Sequence, residues 1–174
     1  IMRYITSTAE TTVTLKDELD YVQKYLYCMK VRYQSSLNYS IDVDKRLLSQ
    51  PVPKLIIQPI VENAIRYGSD CAPPWNISVT SVVTHGSWQI EVSDTGPGFT
   101  EEAKERITAN IMKAIQNPGL PELKINGLGT VNVYLRWKIF CKGDIIFRYG
   151  NNADGHGVVS IGRYFQNKED TETV

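Results

Sequence analysis

Cysteine, net charge and long apolar runs are all scarce in this chain. The three cysteines, Cys28, Cys71 and Cys141, stand far apart and form no CxxC pair. That spacing argues against a disulfide framework and a thiolate zinc site, and it suits a reducing cytoplasm. Nineteen basic side chains balance 19 acidic ones, so the clustered cationic excess that marks nucleic-acid and anionic-membrane binders is missing. Any anionic ligand must be held locally. The longest apolar runs, such as Leu55 to Ile57 and Ile60 to Val61, fall far short of the roughly 18 residues that a membrane span needs. No signal-peptide pattern opens the chain. A start at Ile1, without Met, leads to the expectation of a piece cut from something longer.

What is present reads as one well-cored soluble domain with a helical appendage, since 174 residues with 42% hydrophobic side chains suffice for a single core. Leu15, Leu19, Val22, Leu26, Met29 and Tyr33 recur at steps of four and three, which predicts a helix from Leu15 to about Gln34. Thr14 with Asp17 resembles a capping box at its start. Alternation over Leu37, Tyr39, Ile41 and Val43 predicts a strand. Pro51 and Pro53 mark the entry to a second helix, from about Val52 through Tyr67 and ended by Gly68. Strands are expected over Trp75–Thr84 and Ser87–Ser93, turned at His85-Gly86. A helix is expected from about Glu101 to Ala114, and another over Gly127–Phe140, where Val131, Leu135 and Ile139 recur at steps of four. Strands over Ile145–Tyr149 and Val158–Phe165 close the order. This is an α+β, two-layer sandwich with a mixed sheet and helices on one face.

Three short stretches carry chemistry. In QPIVENAIRYG, Gln58 to Gly68, and the two residues before it, Ile56, Ile57, Ile60, Val61, Ala64 and Ile65 make an apolar stripe, with Glu62, Asn63, Arg66 and Tyr67 beside it. An amide oxygen can ligate a hard cation and a guanidinium can reach phosphate; the same residues also fit a surface helix with a Glu62–Arg66 pair. In DTGPG, Asp94 to Gly98, a carboxylate at a strand end can accept from an exocyclic amine while two glycines let backbone approach a ligand. A tight turn is the other reading. In NGLGT, Asn126 to Thr130, glycines at a helix start expose N–H groups and the positive end of the dipole.

Taken in order, VENAIRYG, DTGPGF and GLGT resemble the N, G1 and G2 boxes of the GHKL (Bergerat) ATP-binding fold. With VTLKDELDYVQKYL, MKVRY and VPKLIIQPIVENAIRYG, the chain from about residue 3 to 165 resembles sensor histidine kinases of the LytS/YesM-like branch. The resemblance implies that residues 1–36 are the end of a dimerisation helix region, that 37–166 are the catalytic ATP-binding domain, and that 167–174 are a polar tail. It implies ATP and Mg²⁺ as cofactors, with Asn63 on the metal and Arg66 and Tyr67 beside the phosphates. Asp94 would take the adenine amino group, and Gly96 and Gly98 would let backbone lie against the base. Gly127, Leu128, Gly129 and Thr130 would border the phosphates, and Thr108 to Asn126 would form a mobile lid. Glu62 is the one carboxylate in the N box and the catalytic candidate there, because Pro59 stands four residues before Asn63 where many kinases have an acid or amide. Thr95 and Thr130 stand where Asn and Leu are commoner.

The implied function is transfer of the ATP γ-phosphate to a histidine outside these residues, for relay to a response regulator. The implied parent is a homodimeric membrane sensor kinase with this part in the cytoplasm, touching neither membrane nor nucleic acid. The acceptor-histidine box is absent, and His85 and His156 read as turn residues. The alternative is a non-catalytic ATP-binding switch of the same superfamily.

Overall fold

The computed structural model describes residues 12–116 and 129–165. Strand β1 (Thr12–Thr14) leads into helix α1 (Leu15–Tyr33). Thr14 and Asp17 form the expected capping box: the Thr14 hydroxyl accepts from Asp17 N at 3.2 Å, and the Asp17 carboxylate accepts from Thr14 N at 3.1 Å. The helix buries Leu15, Leu19, Val22 and Leu26, which are the positions a helical stripe requires.

Strands β2 (Leu37–Asp42) and β3 (Pro51–Pro53) precede helix α2 (Gln58–Gly68). Helix α2 starts later than the expected Val52. Residues Pro51 to Pro53 instead pair antiparallel with β1, Val52 opposite Val13. Ile56 and Ile57 are fully buried, but in a turn rather than in the helix, with Leu55 in the left-handed region at φ 59°. Pro59 then falls in the helix's first turn, where a missing N–H costs nothing.

The main sheet is completed by β4 (Trp75–Val83), β5 (Ser87–Asp94), β6 (Ile145–Asn151) and β7 (Gly157–Tyr164), with α3 (Glu101–Gln116) and α4 (Gly129–Cys141) between β5 and β6. Its order is β2-β4-β5-β7-β6, with β2 parallel to β4 and the other neighbours antiparallel. Register places Val79 opposite Val92 and Ile90 opposite Ile161, so these apolar residues share one face with Trp88. The helices cover that face. The opposite face is polar: Ser40 meets Ser78, and Glu91 accepts from both Gln89 and Ser160. One-sided packing of this kind is what alternation in an antiparallel sheet produces.

Of the step-of-four residues on helix α4, only Val131 faces the core; Leu135 is half-buried. Ile139 is 73% exposed, and Val131, Val133, Trp137 and Cys141 are buried. Trp137 decides the rotation. Its indole donates to Gly162 O at 2.7 Å and meets Trp88 edge-on at 5.9 Å between centroids. Fitting one large ring with its N–H satisfied outweighs an aliphatic line of smaller residues. Among the described residues no helix is long and apolar enough to cross a membrane, and the three cysteines are free.

Candidate functional site: a cleft between α2, α3 and α4

The C-terminal end of β5 delivers Asp94 beneath α2, and the turn after it runs beside the helix end. A cleft of about 410 Å³ opens there, with Asn63, Arg66 and Tyr67 from α2, Asp94 and Gly98 from the turn, and Gly129 and Thr130 from α4 on its walls. Ile60, Ala64, Val92 and Val159 supply apolar wall. The volume and the mix of apolar surface with a few polar groups are those of a small-molecule site.

Asp94 sits at the crowded end. Its Oδ1 accepts the Gly96 N–H at 2.8 Å. Burial raises its pKa above the ordinary carboxylate value, partly offset by the Gly96 N–H and the proximity of His156. A Cβ at Gly96 would lie 2.8 Å from Asp94 Oδ1 and 2.8 Å from Gly68 Cα, so that position admits only glycine. The contribution of Gly96 is to close the turn behind Asp94; it is not on the cleft wall. Gly98 is on the wall, with φ 72°, a conformation glycine adopts without strain.

At the other end the side-chain amide of Asn63 faces the start of α4. A Cβ at Gly129 would stand 3.2 Å from Asn63 Nδ2. The first turn of a 13-residue helix, whose dipole end is positive and whose first N–H groups have no partner within the helix, therefore adjoins Asn63. Arg66 lies over the Tyr67 ring at 5.7 Å from its centroid. Glu62 is exposed, off the cleft wall, and accepts from Gln58 Nε2 at 2.6 Å, not from Arg66. Its charge adds to the burial that raises the phenol pKa of Tyr21 and Tyr25 on α1. Gly127, Leu128 and residues 117–126 of the expected lid lie outside the described residues. The part from Thr108 to Gln116 is the end of α3.

Sequence reasoning missed three contributors. Arg106 of α3 lines the cleft as a second cation. Gly157 opens β7 against Asp94, where a Cβ would stand 2.8 Å from Oδ2. The β6–β7 hairpin grips the turn: Asn151 accepts from Phe99 N at 2.7 Å and donates to Phe99 O at 3.1 Å, and His156 Nδ1 lies 2.9 Å from Gly96 O. His156 is therefore packed on the DTGPG turn rather than idle in its own. The glycine either side of it in GHG was the only local signal, and its contact spans 60 residues.

Comparison with known proteins gives the family and the fold. Residues 50–162 match the family model described as histidine kinase-, DNA gyrase B-, and HSP90-like ATPase, and residues 1–37 match the model described as histidine kinase. A sensor-like histidine kinase of Staphylococcus epidermidis is 28% identical over 145 residues, covering 82% of this chain and 28% of the relative. Sensor protein kinase HptS of Staphylococcus aureus is 23% identical over 148 residues, covering 83% of this chain and 28% of the relative. The chain thus spans little more than a quarter of these relatives' length. The catalytic domain of histidine kinase ThkA superposes with a TM-score of 0.60 at 18% identity, covering 88% of this chain and 94% of that one. The mycobacterial sensor histidine kinase MprB gives 0.57 at 14% identity, covering 88% and 95%.

Proposed function

This chain belongs to the histidine kinase-, DNA gyrase B- and HSP90-like ATPase family and has the fold of a histidine-kinase catalytic domain, and on that premise we propose that its cleft holds Mg·ATP for phosphoryl transfer to a histidine outside these residues. The observation that carries the proposal is the polarity of the cleft. One end offers a half-buried carboxylate and the other an amide beside a helix start, and two guanidinium groups line the same cleft between apolar walls. A planar base with an exocyclic amine fits the first end, and a polyphosphate fits the second.

In this reading Asp94 accepts the adenine amino N–H, which a guanine carbonyl at the same place cannot supply. Arg66 and Arg106 bind phosphate oxygens, and the first N–H groups of α4 at Gly129 and Thr130 point at them. Gly127 and Leu128 border the phosphates, as the resemblance implies. Asn63 would hold the magnesium ion. No group of three acidic, histidine or cysteine side chains able to bind a metal is found among the described residues, which fits a cation that keeps water and phosphate as most of its ligands. When bound, that ion neutralises charge on the transferring phosphoryl group. The protein's own task is orientation, which is most of the catalysis in this reaction class. Glu62, exposed on the outer side of α2, is the carboxyl group an incoming acceptor histidine would meet.

The wider role follows as a proposal too: a response regulator receives the phosphoryl group, and the parent is a homodimeric sensor kinase at a bacterial membrane with this domain on the cytoplasmic side. Calorimetric titration with a non-hydrolysable ATP analogue, with and without Mg²⁺, tests the core of it. Binding that strengthens with Mg²⁺ and is weakened by Asn63→Ala and Asp94→Ala is expected. Wild-type affinity in either variant would remove that residue from the site.

A further inference from the structure

Helix α1 carries on its buried face one residue that the apolar stripe does not explain. Glu18 is fully buried. Its carboxyl oxygens accept the N–H groups of Leu55, Ile56 and Ile57, the last two at 2.9 and 3.2 Å. These three residues form the turn that opens α2, and Ile57 O accepts the first helical bonds, from Ile60 and Val61. A carboxyl group buried among donors is strongly directional, because releasing it would strand three N–H groups away from water.

The same turn is gripped from the other side. Arg136, in the middle of α4, donates to Leu55 O at 3.0 Å and also to Lys54 O. Leu55 therefore has its N–H held by α1 and its carbonyl held by α4, and its φ of 59° is a conformation that a branched side chain adopts only under restraint. Leading into this turn, Leu15 N donates to Gln50 O and Lys16 N to Leu48 O, and β1 pairs with β3. The start of α1 and the segment running up to α2 are thus one piece. Helix α2 bears Asn63, and α4 begins at Gly129 beside it.

We propose that Glu18 and Arg136 are positioning residues for the nucleotide site, joined through the peptide groups of Leu55, so that the placement of α1 sets the spacing of α2 and α4 at the phosphate end of the cleft. The inference rests on the cleft being the nucleotide site. It goes beyond that reading in giving α1 control of affinity from a distance, by two rigid elements that share one held turn.

The experiment compares Glu18→Gln, Arg136→Ala and the double variant with wild type, and uses exposed Asp20→Asn on α1 as a control. Titration with Mg·ADP is expected to show each single change weakening binding by about tenfold, with the double variant little weaker than either, since both act through one turn. Asp20→Asn should bind as wild type. Additive losses, or wild-type affinity in either folded single variant, would overturn the proposal, and a fall in melting temperature without a change in affinity would reduce the residues to ordinary stabilisers. Should Glu18→Gln fail to fold, exposed Arg136→Ala decides alone. Hydrogen exchange on the empty protein separates the two readings. In Arg136→Ala, faster exchange extending from residues 54–57 into 58–68 supports the coupling, whereas a change confined to 54–57 overturns it. If wild type bound no Mg·ADP, the nucleotide reading and this inference would fall together.

Discussion

Asp94 is placed where its ionised form is least favoured by the fold and most useful to a ligand. Burial holds its pKa above the unfolded value, so the folded chain binds the Asp94 proton more tightly than the unfolded chain does. The contribution to stability is therefore unfavourable at neutral pH, and that cost fades as pH falls through the raised folded value. Asp94→Asn should then raise the melting temperature at neutral pH and flatten this part of the acid dependence. It should also weaken ATP binding by about 1.5–3 kcal/mol if, as proposed, this carboxylate accepts the adenine amine. Thermal scans across about pH 4 to 7 with a matched titration check both halves; a variant that loses stability would contradict the burial argument. Gly157→Ala is the companion case. Its Cβ would stand 2.8 Å from Asp94 Oδ2, so the carboxyl group must swing away, and adenine-nucleotide affinity should fall at least tenfold while the β6–β7 pairing persists. Unchanged affinity would mean the carboxyl group has room that the contact denies.

At the scale of elements, the β6–β7 hairpin acts as a clamp on the turn after β5. Asn151 meets both backbone groups of Phe99, His156 meets Gly96 O, and Gly98 packs against Gly155, where a Cβ would come within 2.2 Å of Gly155 O. Asn151→Ala removes two hydrogen bonds at an exposed position, which should cost about 1 kcal/mol of stability and a few-fold in nucleotide affinity. Denaturant unfolding and titration would show this, and no change in either would mean the turn is held by its own backbone. The hairpin also marks the limit of what the sequence discloses. The α1 stripe, the capping box at Thr14 and the alternation in β2, β4 and β5 are local patterns, legible because period and spacing carry them, whereas the three glycine- and asparagine-bearing boxes are read from their resemblance to a family. The start of α2 was not legible, because the turn at Leu55 is held by Glu18 from 37 residues away and by Arg136 from 81. Nor was the rotation of α4, which follows from Trp137 meeting Trp88 and Gly162 across the core. Gly157 and Arg106 reach the cleft through tertiary placement, and no spacing rule connects them to Asp94 or Asn63.

For the molecule as a whole, the decisive question is whether any histidine of this chain can take the phosphoryl group. The chain has two. His85 lies in the turn between β4 and β5, and Asp94 ends β5 nine residues on. At about 3.3 Å per residue, that puts His85 roughly 30 Å from the Asp94 end of the cleft. His156 is near the cleft, but its Nδ1 is on Gly96 O. That is the Asp94 end, away from Asn63 and the start of α4, where the terminal phosphate would lie. Transfer needs the acceptor nitrogen in line with the leaving oxygen at close approach, and neither ring meets that condition. We expect this chain to bind Mg·ATP and to remain unlabelled by γ-labelled ATP. A separate peptide segment bearing a histidine-kinase acceptor box should become labelled in trans, slowly, because the effective concentration supplied by a tether is absent. Acid-labile, base-stable label on this chain alone, lost on changing His85 or His156, would show that the cleft can present phosphate to its own surface and would overturn an acceptor lying outside these residues.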